Sequence, residues 1–432
     1  MRELALYWGE QLAADLTDDA GLVRMQYDLE YLRSGSAQQL SLSLPLTKEM
    51  IEPPRPANFI ANLLPEGRIR ELMSRSHRID ENDDIALIER IGSECAGALT
   101  VLPKGATPSP TDPQYEPLSQ LDLGEYITQF QSSPVAPFRG APIRLSLAGA
   151  QSKSAIALFN GEPHQVIRGA STHIIKPPPM ANAGAPDPYP NVVLNEFICS
   201  KLAAACKLPI PDVRLLPFTT YRGGPPMHAL CIERFDRLLS EHGVERLHQE
   251  DFCQALGVPP GRKYEQDDGI TLAQMLELVR SAQAVSTPAA AFTQFLRHFL
   301  FNLLIGNADA HAKNYALLYT KTGRELAPAY DLVSTMAYEQ LDRGLPQTIG
   351  DCRKIDELTA ASLLDGLTAA GIKPQAVHRA VQALSRSLDA ALQIDPTQWI
   401  DTGADPELKE ALRTVHEQLS TIIRQQCARL QS

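Results

Sequence analysis

The hydrophobic pattern of this chain changes its period at about residue 248, and this change constrains the fold more than any other feature. Before it, short strand-like apolar segments predominate, such as "THIIKPPP" and "MHALCIERFD". After it, apolar residues recur at helical spacing. In "PQAVHRAVQALSRSLDAAL" one helix face carries an apolar stripe: Val377, Val381, Leu384, Leu388 and Leu392. A sheet-rich segment followed by a helix-rich one predicts an α+β fold.

A Pro-rich stretch starting at Leu102, "LPKGATPSPTDPQYEPLSQ", sets off an N-terminal module, because closely spaced prolines disfavour helices and central strands. In this module "LALYWGEQLAADLTDD" is strand-like, "LSLSLPL" (40–46) alternates with the period of a strand, and "NFIANLLPEGRIRELM" has helical spacing. We expect a small α+β module over 1–105 and a Pro-rich linker over 106–139. A sheet-rich lobe over 140–240 and a helical lobe over 241–432 would follow.

Two further patterns give detail to the lobes. "IRLSLAGAQSKSAIALF" predicts a hairpin with a small-residue loop, its first strand carrying Ile143, Leu145 and Leu147 on one face. "NVVLNEFICSKLAAAC" predicts a helix, so the first lobe should be a mostly antiparallel sheet with one helix. In the helical lobe, "YALLYTKTGRELAPAYDLV" predicts two short strands around the turn "KTGR".

Charge, cysteines and hydropathy exclude several classes of function. The net charge of -11 repels phosphates, so DNA binding would need a local basic patch or a basic partner. The seven cysteines are scattered without a CxxC pair, which is typical of reduced thiols. The start lacks a basic segment followed by a long apolar one, and no later window approaches a membrane helix. We expect a cytoplasmic protein with no membrane partner.

The strongest functional signal follows the apolar run "FLRHFLFNLLIG". Asp309 and Asn314 stand as D-x-x-x-x-N, the spacing by which kinase catalytic loops present a carboxylate to the substrate hydroxyl and an amide oxygen to Mg²⁺. Asp331 follows in "AYDLV", after the two predicted strands, where kinases place a metal-binding aspartate. Taken alone, the same residues would also suit an ordinary capped helix end.

Other kinase parts precede this loop in kinase order: a small-residue loop at 148–150, then Lys176 on a strand and Glu196 on a helix. A strand lysine can bring its charge to ATP phosphates, and a helix glutamate can hold that lysine in place. Each would otherwise be a solvated residue, a lysine at a strand end and a glutamate on an exposed helix face. Their order is the evidence for ATP binding.

At this level of detail the chain resembles the HipA family, the kinase toxins of bacterial toxin-antitoxin systems. The resemblance is carried by "SLAGAQSKSA", "HIIKP", "NEFICSKLA", "ERFDR", "HQEDFCQALG…KYE", "IGNADAHAKNYALL" and "LAPAYDLVST", and by "LSLSLPL" and "FIANLLPEGRIRE" in the N-terminal module. It implies a bilobal protein-kinase or lipid-kinase-like fold with a β-rich N-lobe, a helical C-lobe and an extra N-terminal subdomain.

The resemblance also implies roles for individual residues. Asp309 would be the catalytic base, Asn314 and Asp331 the Mg²⁺ ligands, and Lys176 an ATP phosphate ligand. Backbone groups of Glu233 and Phe235 would contact adenine. The loop over the phosphates would comprise Ala148, Gly149, Ala150, Gln151, Ser152 and Lys153, and Ser146 would be the autophosphorylation site that shuts off ATP binding.

His311 departs from the protein-kinase pattern, since D-x-H-x-x-N is closer to lipid kinases. It would orient Asp309 or contact phosphate, or serve as a structural histidine beneath the loop. HRD, DFG and APE are also absent, which puts ordinary protein-kinase regulation in doubt.

The expected function is transfer of the ATP γ-phosphate, with Mg²⁺, to a serine or threonine of an aminoacyl-tRNA synthetase, which arrests translation. The expected partner is a HipB-like helix-turn-helix antitoxin, contacted partly through the N-terminal module, through which the chain meets operator DNA. Two alternatives stay open, a small-molecule or lipid phosphotransferase and a non-catalytic co-repressor.

Overall fold

The structure, a computed structural model, describes residues 1–108, 112–133, 137–139, 152–179, 189–240 and 243–431. The chain forms two compact units. The first consists of Met1–Pro177, Pro217–Pro260 and Leu318–Thr320, and the second of Pro178–Leu216, Gly261–Leu317 and Lys321–Ser432. Within the described segments, none of the helices has the length and apolarity needed to cross a bilayer.

The N-terminal module is a four-stranded sheet covered by helices. Its elements are β1 (Arg2–Trp8), β2 (Gln11–Asp19), β3 (Leu22–Tyr27), α1 (Leu29–Arg33), α2 (Arg55–Leu63), α3 (Gly67–His77), α4 (Asp84–Ile91) and β4 (Leu99–Pro103). The strand order is β3-β2-β1-β4, with β1 antiparallel to both neighbours. Alternate residues of β1, such as Leu4 and Leu6, are fully buried in one hydrophobic core with side chains of α2 and α4.

Segment 40–46, expected to be a strand from its alternation, is instead a turn closed by a bridge between Ser41 and Leu44, so this prediction was wrong. Leu40 and Leu44 are buried in the core. The Ser41 hydroxyl donates to Glu250 Oε2 at 2.6 Å. The alternation therefore reflects serines that satisfy buried polar partners, because a buried carboxylate must be hydrogen-bonded.

The middle of the chain contains a second, six-stranded sheet together with strands and helices outside that sheet. Its elements are β5 (Gln114–Pro117), α5 (Gln120–Ser132), β6 (Ser154–Phe159), β7 (Glu162–Arg168), β8 (His173–Lys176), α6 (Val192–Ala205), β9 (Val213–Phe218), β10 (Met227–Glu233), β11 (Arg237–Ser240), β12 (Gly243–Arg246), β13 (Gln249–Asp251) and α7 (Phe252–Leu256). The sheet order is β5-β7-β6-β8-β10-β9. Strand β6 pairs antiparallel with β7 and β8, and β8 with β10. The predicted antiparallel sheet and the helix α6 are confirmed, whereas the predicted strand with Ile143, Leu145 and Leu147 lies outside the described residues.

The Pro-rich stretch contains an edge strand and a helix. Pro117 ends β5, which pairs with β7 at the edge of the sheet, where a missing N–H is tolerated. Helix α5 then begins at a capping box in which Ser119 and Asp122 bond each other's backbone. Part of the segment 106–139 thus belongs to the sheet-rich lobe.

The remaining elements are mainly helical. They are α8 (Leu272–Arg280), α9 (Pro288–Leu304), β14 (Ala316–Thr320), β15 (Gly323–Leu326), β16 (Gly344–Ile349), β17 (Cys352–Lys354), α10 (Ala360–Ala369), α11 (Pro374–Ala391) and α12 (Pro406–Gln431). Short 3-10 turns span Gly92–Glu94, Pro260–Arg262, Glu265–Asp267, Ala312–Asn314, Thr335–Ala337 and Pro396–Trp399. All five residues of the predicted stripe of α11, which begins at Val377 and ends at Leu392, are buried. The two strands predicted around "KTGR" are β14 and β15, so both predictions are confirmed.

Candidate active site

Helix α9 carries the candidate catalytic loop. Pro288 occupies its first turn, where a missing N–H is tolerated, and its C-terminal half, from Phe299 to Leu304, is almost wholly buried. Gly306 then adopts a φ of +73°, the left-handed conformation that favours glycine after a helix end. The loop that follows is thus attached to a rigid, buried element, which suits a site that needs precise positioning.

Asn307 holds this loop from inside. Its Nδ2 donates to Asn302 Oδ1 at 2.8 Å and to the backbone carbonyl of Asp331 at 3.3 Å. Its Oδ1 accepts the backbone N–H of Asp309 at 3.0 Å. With only 2% of its surface exposed, Asn307 connects the helix end to both aspartates of the candidate site.

Asn314 and Asp331 lie side by side. The Nδ2 of Asn314 donates to Asp331 Oδ2 at 3.0 Å. Asp331 has a φ of +57°, a left-handed conformation that non-glycine residues rarely adopt and that often marks functional positions. The chain passes through β14 and β15 between these two residues and returns, so the amide and the carboxylate come into contact.

This pair fits the Mg²⁺ that the kinase pattern implies. Asn314 Oδ1 is buried and has no hydrogen-bond partner among the described residues, although its own Nδ2 is satisfied. A buried acceptor left open next to a carboxylate suits a hard cation, and Mg²⁺ takes a few protein oxygens and keeps water or phosphate in its other positions. In the described segments, three or more His, Cys, Asp or Glu residues nowhere cluster as a metal site.

Asp309 lies on the same loop with its side chain exposed. Its Oδ1 accepts a hydrogen bond of 2.7 Å from the hydroxyl of Tyr264, and its backbone carbonyl accepts the N–H of His311 at 2.8 Å. The His311 ring lies edge-on to Tyr264, with centroids 5.2 Å apart. His311 therefore packs against the tyrosine that bonds Asp309.

The predicted ATP-binding residues are placed as follows. Lys176 ends β8 and is 4% exposed, and Glu196 on α6 is 3% exposed, so neither is the solvated residue it would be alone. Burial of such charges requires partners. Ser152 and Lys153 directly precede β6. The other loop positions, Ala148, Gly149, Ala150 and Gln151, and the proposed phosphorylation site Ser146 lie outside the described residues.

The predicted adenine-binding segment is anchored by buried charges. Arg234, between Glu233 and Phe235, forms a bidentate pair with Asp236 at 2.9 and 2.8 Å and lies 3.6 Å from Glu94 Oε1. Asp236 also accepts the backbone N–H of Gly97 at 2.7 Å. The N-terminal module and this segment therefore share one buried polar network.

Charge coupling in this network is strong. Burial by itself raises the pKa of Asp236. The guanidinium groups of Arg234 and Arg237 nevertheless hold this pKa far below its usual range. Burial and the neighbouring Arg234 lower the pKa of Arg237 to about 9. Arg237 Nη1 lies 3.0 Å from Asp236 and its Nη2 lies 3.8 Å from Glu94. Its charge in the interior therefore depends on both carboxylates.

The sequence interpretation assigned no role to Asn307, Tyr264 or Glu94. Asn307 lies in the quoted motif directly after the apolar helix. An asparagine at such a position can bond the backbone of the following loop, and this was the available signal. Tyr264 and Glu94 are both far along the chain from the residues they bond, Asp309 and Arg234. Such distant pairings leave no local pattern.

Two family descriptions and several known proteins match this chain. The family described as HipA N-terminal domain matches residues 4–102, and the family described as HipA-like C-terminal domain matches residues 145–392. The chain is 34% identical over 91% of its length to the putative kinase Y4mE of Sinorhizobium fredii, and covers 91% of that protein. It is 32% identical over 84% of its length to the serine/threonine-protein kinase toxin HipA of Shewanella oneidensis, and covers 83% of that protein.

A solved structure is similar over the whole chain. It is the Shewanella oneidensis toxin-antitoxin complex of HipA, HipB and operator DNA, which has a TM-score of 0.78 and 27% identity over 99% of both chains. The predicted α+β, kinase-like fold class is thereby confirmed. Together, the two matched families, the identity to kinase relatives and the shared fold show that this chain is a member of the HipA family.

Proposed function

We propose that this protein is an ATP- and Mg²⁺-dependent serine/threonine kinase and the toxin of a toxin-antitoxin pair. The observation that carries the proposal is the loop in which Asn307 links exposed Asp309 to Asp331, which is bonded to Asn314. The names of its relatives, which include a serine/threonine-protein kinase toxin, support the same activity.

In this proposal each residue has a defined task. Asp309 accepts or orients the proton of the acceptor hydroxyl, and Lys176 balances charge on the ATP phosphates. Asn314 and Asp331 hold Mg²⁺, which when bound neutralises charge on the phosphate oxygens. Backbone groups of Glu233 and Phe235 contact adenine, and Glu196 steadies the lysine. Loop 148–153 covers the phosphates.

The test compares three aspartate-to-asparagine variants. Asp331→Asn should weaken Mg²⁺-dependent ATP binding, while Asp309→Asn should bind ATP normally and transfer no phosphate, because it retains the metal ligands and lacks the base. Asp365→Asn is the control, since Asp365 is exposed on α10. Equal ATP affinity and phosphate transfer in all three variants and the wild type would contradict the assignment.

We further propose that Ser146 is autophosphorylated and that this switches the kinase off. A phosphate adds up to about two negative charges, which oppose a nearby polyanion such as ATP. Phosphorylated and unphosphorylated protein should differ in ATP affinity by at least about tenfold, an effect of the size expected for such a switch. Equal ATP affinity of the two forms would refute it.

The proposed acceptor is an aminoacyl-tRNA synthetase in the cytoplasm. The test incubates the kinase with purified synthetases and ATP and identifies labelled peptides. The D-x-H-x-x-N motif favours one alternative, a lipid or small-molecule acceptor. Thin-layer analysis of the reaction separates the two, since a protein kinase labels protein alone.

The proposed partner is a HipB-like helix-turn-helix antitoxin, which supplies the DNA contacts that a chain with a net charge of -11 lacks. Leu22 and Leu29 of the N-terminal module are 50% and 47% exposed, and Leu239 on β11 is 51% exposed. Leu22→Glu and Leu29→Glu should weaken antitoxin binding, and Leu239→Glu should not. Point variants are used because deleting the whole module, residues 1–105, would also remove Glu94 from its buried network. Unchanged antitoxin affinity in all three would contradict the proposed contact surface.

A further inference from the structure

The hydroxyl of Tyr264 donates a hydrogen bond to Oδ1 of Asp309 at 2.7 Å, on the carboxylate that the proposed function assigns as the base. A hydroxyl bonded to a carboxylate oxygen restricts the rotation of that carboxylate. A tyrosine in this place has two opposite explanations. It either holds the base in position or occupies the place of the incoming acceptor hydroxyl.

Both neighbours of Tyr264 in the chain are bonded, Lys263 through its backbone and Glu265 through its side chain. The carbonyl of Lys263 accepts the N–H of Ala312, in the same loop as Asp309, at 3.4 Å. On the other side, Glu265 Oε2 accepts the N–H of Thr348 at 2.7 Å. The tyrosine is therefore attached to the candidate catalytic loop and to strand β16.

The segment 262–270 also closes on itself. The N–H of Ile270 donates to the carbonyl of Arg262 at 3.3 Å, and the N–H of Asp267 donates to the carbonyl of Tyr264 at 3.2 Å. A Cβ at Gly269 would overlap the carbonyl oxygens of Arg262 and Tyr264, so glycine is needed there for close backbone approach. These bonds and this close approach hold the segment in one backbone conformation.

The Tyr264 ring is fixed as well. It contacts His311 edge-on, with ring centroids 5.2 Å apart and an interplanar angle of 76°. Edge-on aromatic contacts are favourable and directional. The ring, the backbone and the hydroxyl thus all hold Tyr264 in one place next to Asp309.

We propose that Tyr264 is a positioning residue for phosphate transfer. Its hydroxyl, bonded to Oδ1, restricts rotation of the Asp309 carboxylate, so that the base meets the acceptor hydroxyl in one orientation. This inference rests on the proposed kinase function. It makes the histidine of D-x-H-x-x-N a support for that tyrosine. General-base catalysis requires that the base be held within hydrogen-bond reach of the proton that it accepts.

The test is Tyr264→Phe, which keeps the ring and its contact with His311 and removes the hydroxyl. Tyr221→Phe is the matched control, because Tyr221 is 61% exposed. The probe is Mg²⁺-ATP at increasing concentrations, with phosphate uptake by the protein followed by intact mass. This gives a maximal rate and the ATP concentration at half-maximal rate.

We expect Tyr264→Phe to lower the maximal rate at least about tenfold, since a misplaced catalytic group slows reaction by about one to two orders of magnitude. The ATP concentration at half-maximal rate should stay unchanged, and Tyr221→Phe should match the wild type. A local loss of folding would instead change both parameters.

Two results would overturn the inference. An unchanged maximal rate would show that the hydroxyl does not position the base, and a faster rate would show that Tyr264 competes with the acceptor. In both cases the wild type takes up phosphate, so the proposed function stands. If the wild type takes up none, the proposed function itself fails, and the inference with it.

Discussion

Glu94→Gln tests the buried network that anchors the candidate adenine-binding segment. Glu94 is 4% exposed, and its Oε1 accepts the N–H of Ser171 at 2.9 Å and lies 3.6 Å from Arg234 and 3.8 Å from Arg237. Glutamine keeps the size and can still accept from Ser171. It removes one of the two negative charges that balance these guanidinium groups.

The magnitude follows from burial. Breaking a buried ion pair by removing one partner destabilises by about 3–5 kcal/mol, because the remaining charge is left uncompensated. Since glutamine retains a hydrogen bond, we expect the lower end, about 3 kcal/mol. At about 2–4 °C per kcal/mol for a unit of this size, Tm should fall by about 6 °C or more.

Glu52→Gln is the matched control. Its carboxylate pairs with Arg24 at 2.9 Å but is 62% exposed, and such pairs contribute about 0–1 kcal/mol. Thermal unfolding of both variants, followed by circular dichroism at low and high salt, measures the difference. Salt should abolish the small Glu52 effect and leave the Glu94 effect. Equal Tm shifts in the two variants would refute the assignment of a buried, uncompensated charge.

Three further outcomes are expected. Burial lowers the pKa of His298 to about 3, so its imidazole stays neutral in the folded protein. Below about pH 6.5 the unfolded chain binds a proton at this histidine and the folded protein does not, so stability falls as the pH drops. In urea unfolding, His298→Phe should therefore lose less stability than the wild type between about pH 7 and about pH 5. Gly124→Ala should destabilise by about 1–3 kcal/mol, because a Cβ would overlap the Thr219 carbonyl, whereas Gly403→Ala should be neutral in the same measurement. Asn307→Leu should slow phosphate transfer at least about tenfold in the mass assay, since it leaves Asp309 and Asp331 without their shared support.

Local patterns predicted much of the fold. The stripe of α11 and the strands β8, β10, β14 and β15 carry periodic apolar residues, which fix their type without knowledge of the rest. The exception was segment 40–46, where the same alternation arose from Ser41, bonded to Glu250, and Ser43, bonded to the Gln254 carbonyl. Periodicity shows which side chains are buried, but it does not distinguish a pleated strand from a turn with buried polar groups.

The candidate site was predictable only where its parts are close in sequence or fixed in order. Asn314 and Asp331 were paired from the kinase spacing, and they are in contact in the structure. The bonds of Tyr264 and Glu94 join segments that are distant in the sequence, so they depend on tertiary packing alone. A motif can identify the reactive residues of a site, because their chemistry requires particular residue types at particular spacings. The residues that position them depend on the tertiary fold.

The most direct test of the kinase assignment is intact mass and peptide mapping after incubation of the unphosphorylated protein with Mg²⁺ and ATP, beside Asp309→Asn and Ser146→Ala. We predict one added phosphate on Ser146 in the wild type and none in either variant. No added phosphate in the wild type, together with no ATP binding, would contradict the kinase assignment and favour a non-catalytic co-repressor that acts with the antitoxin.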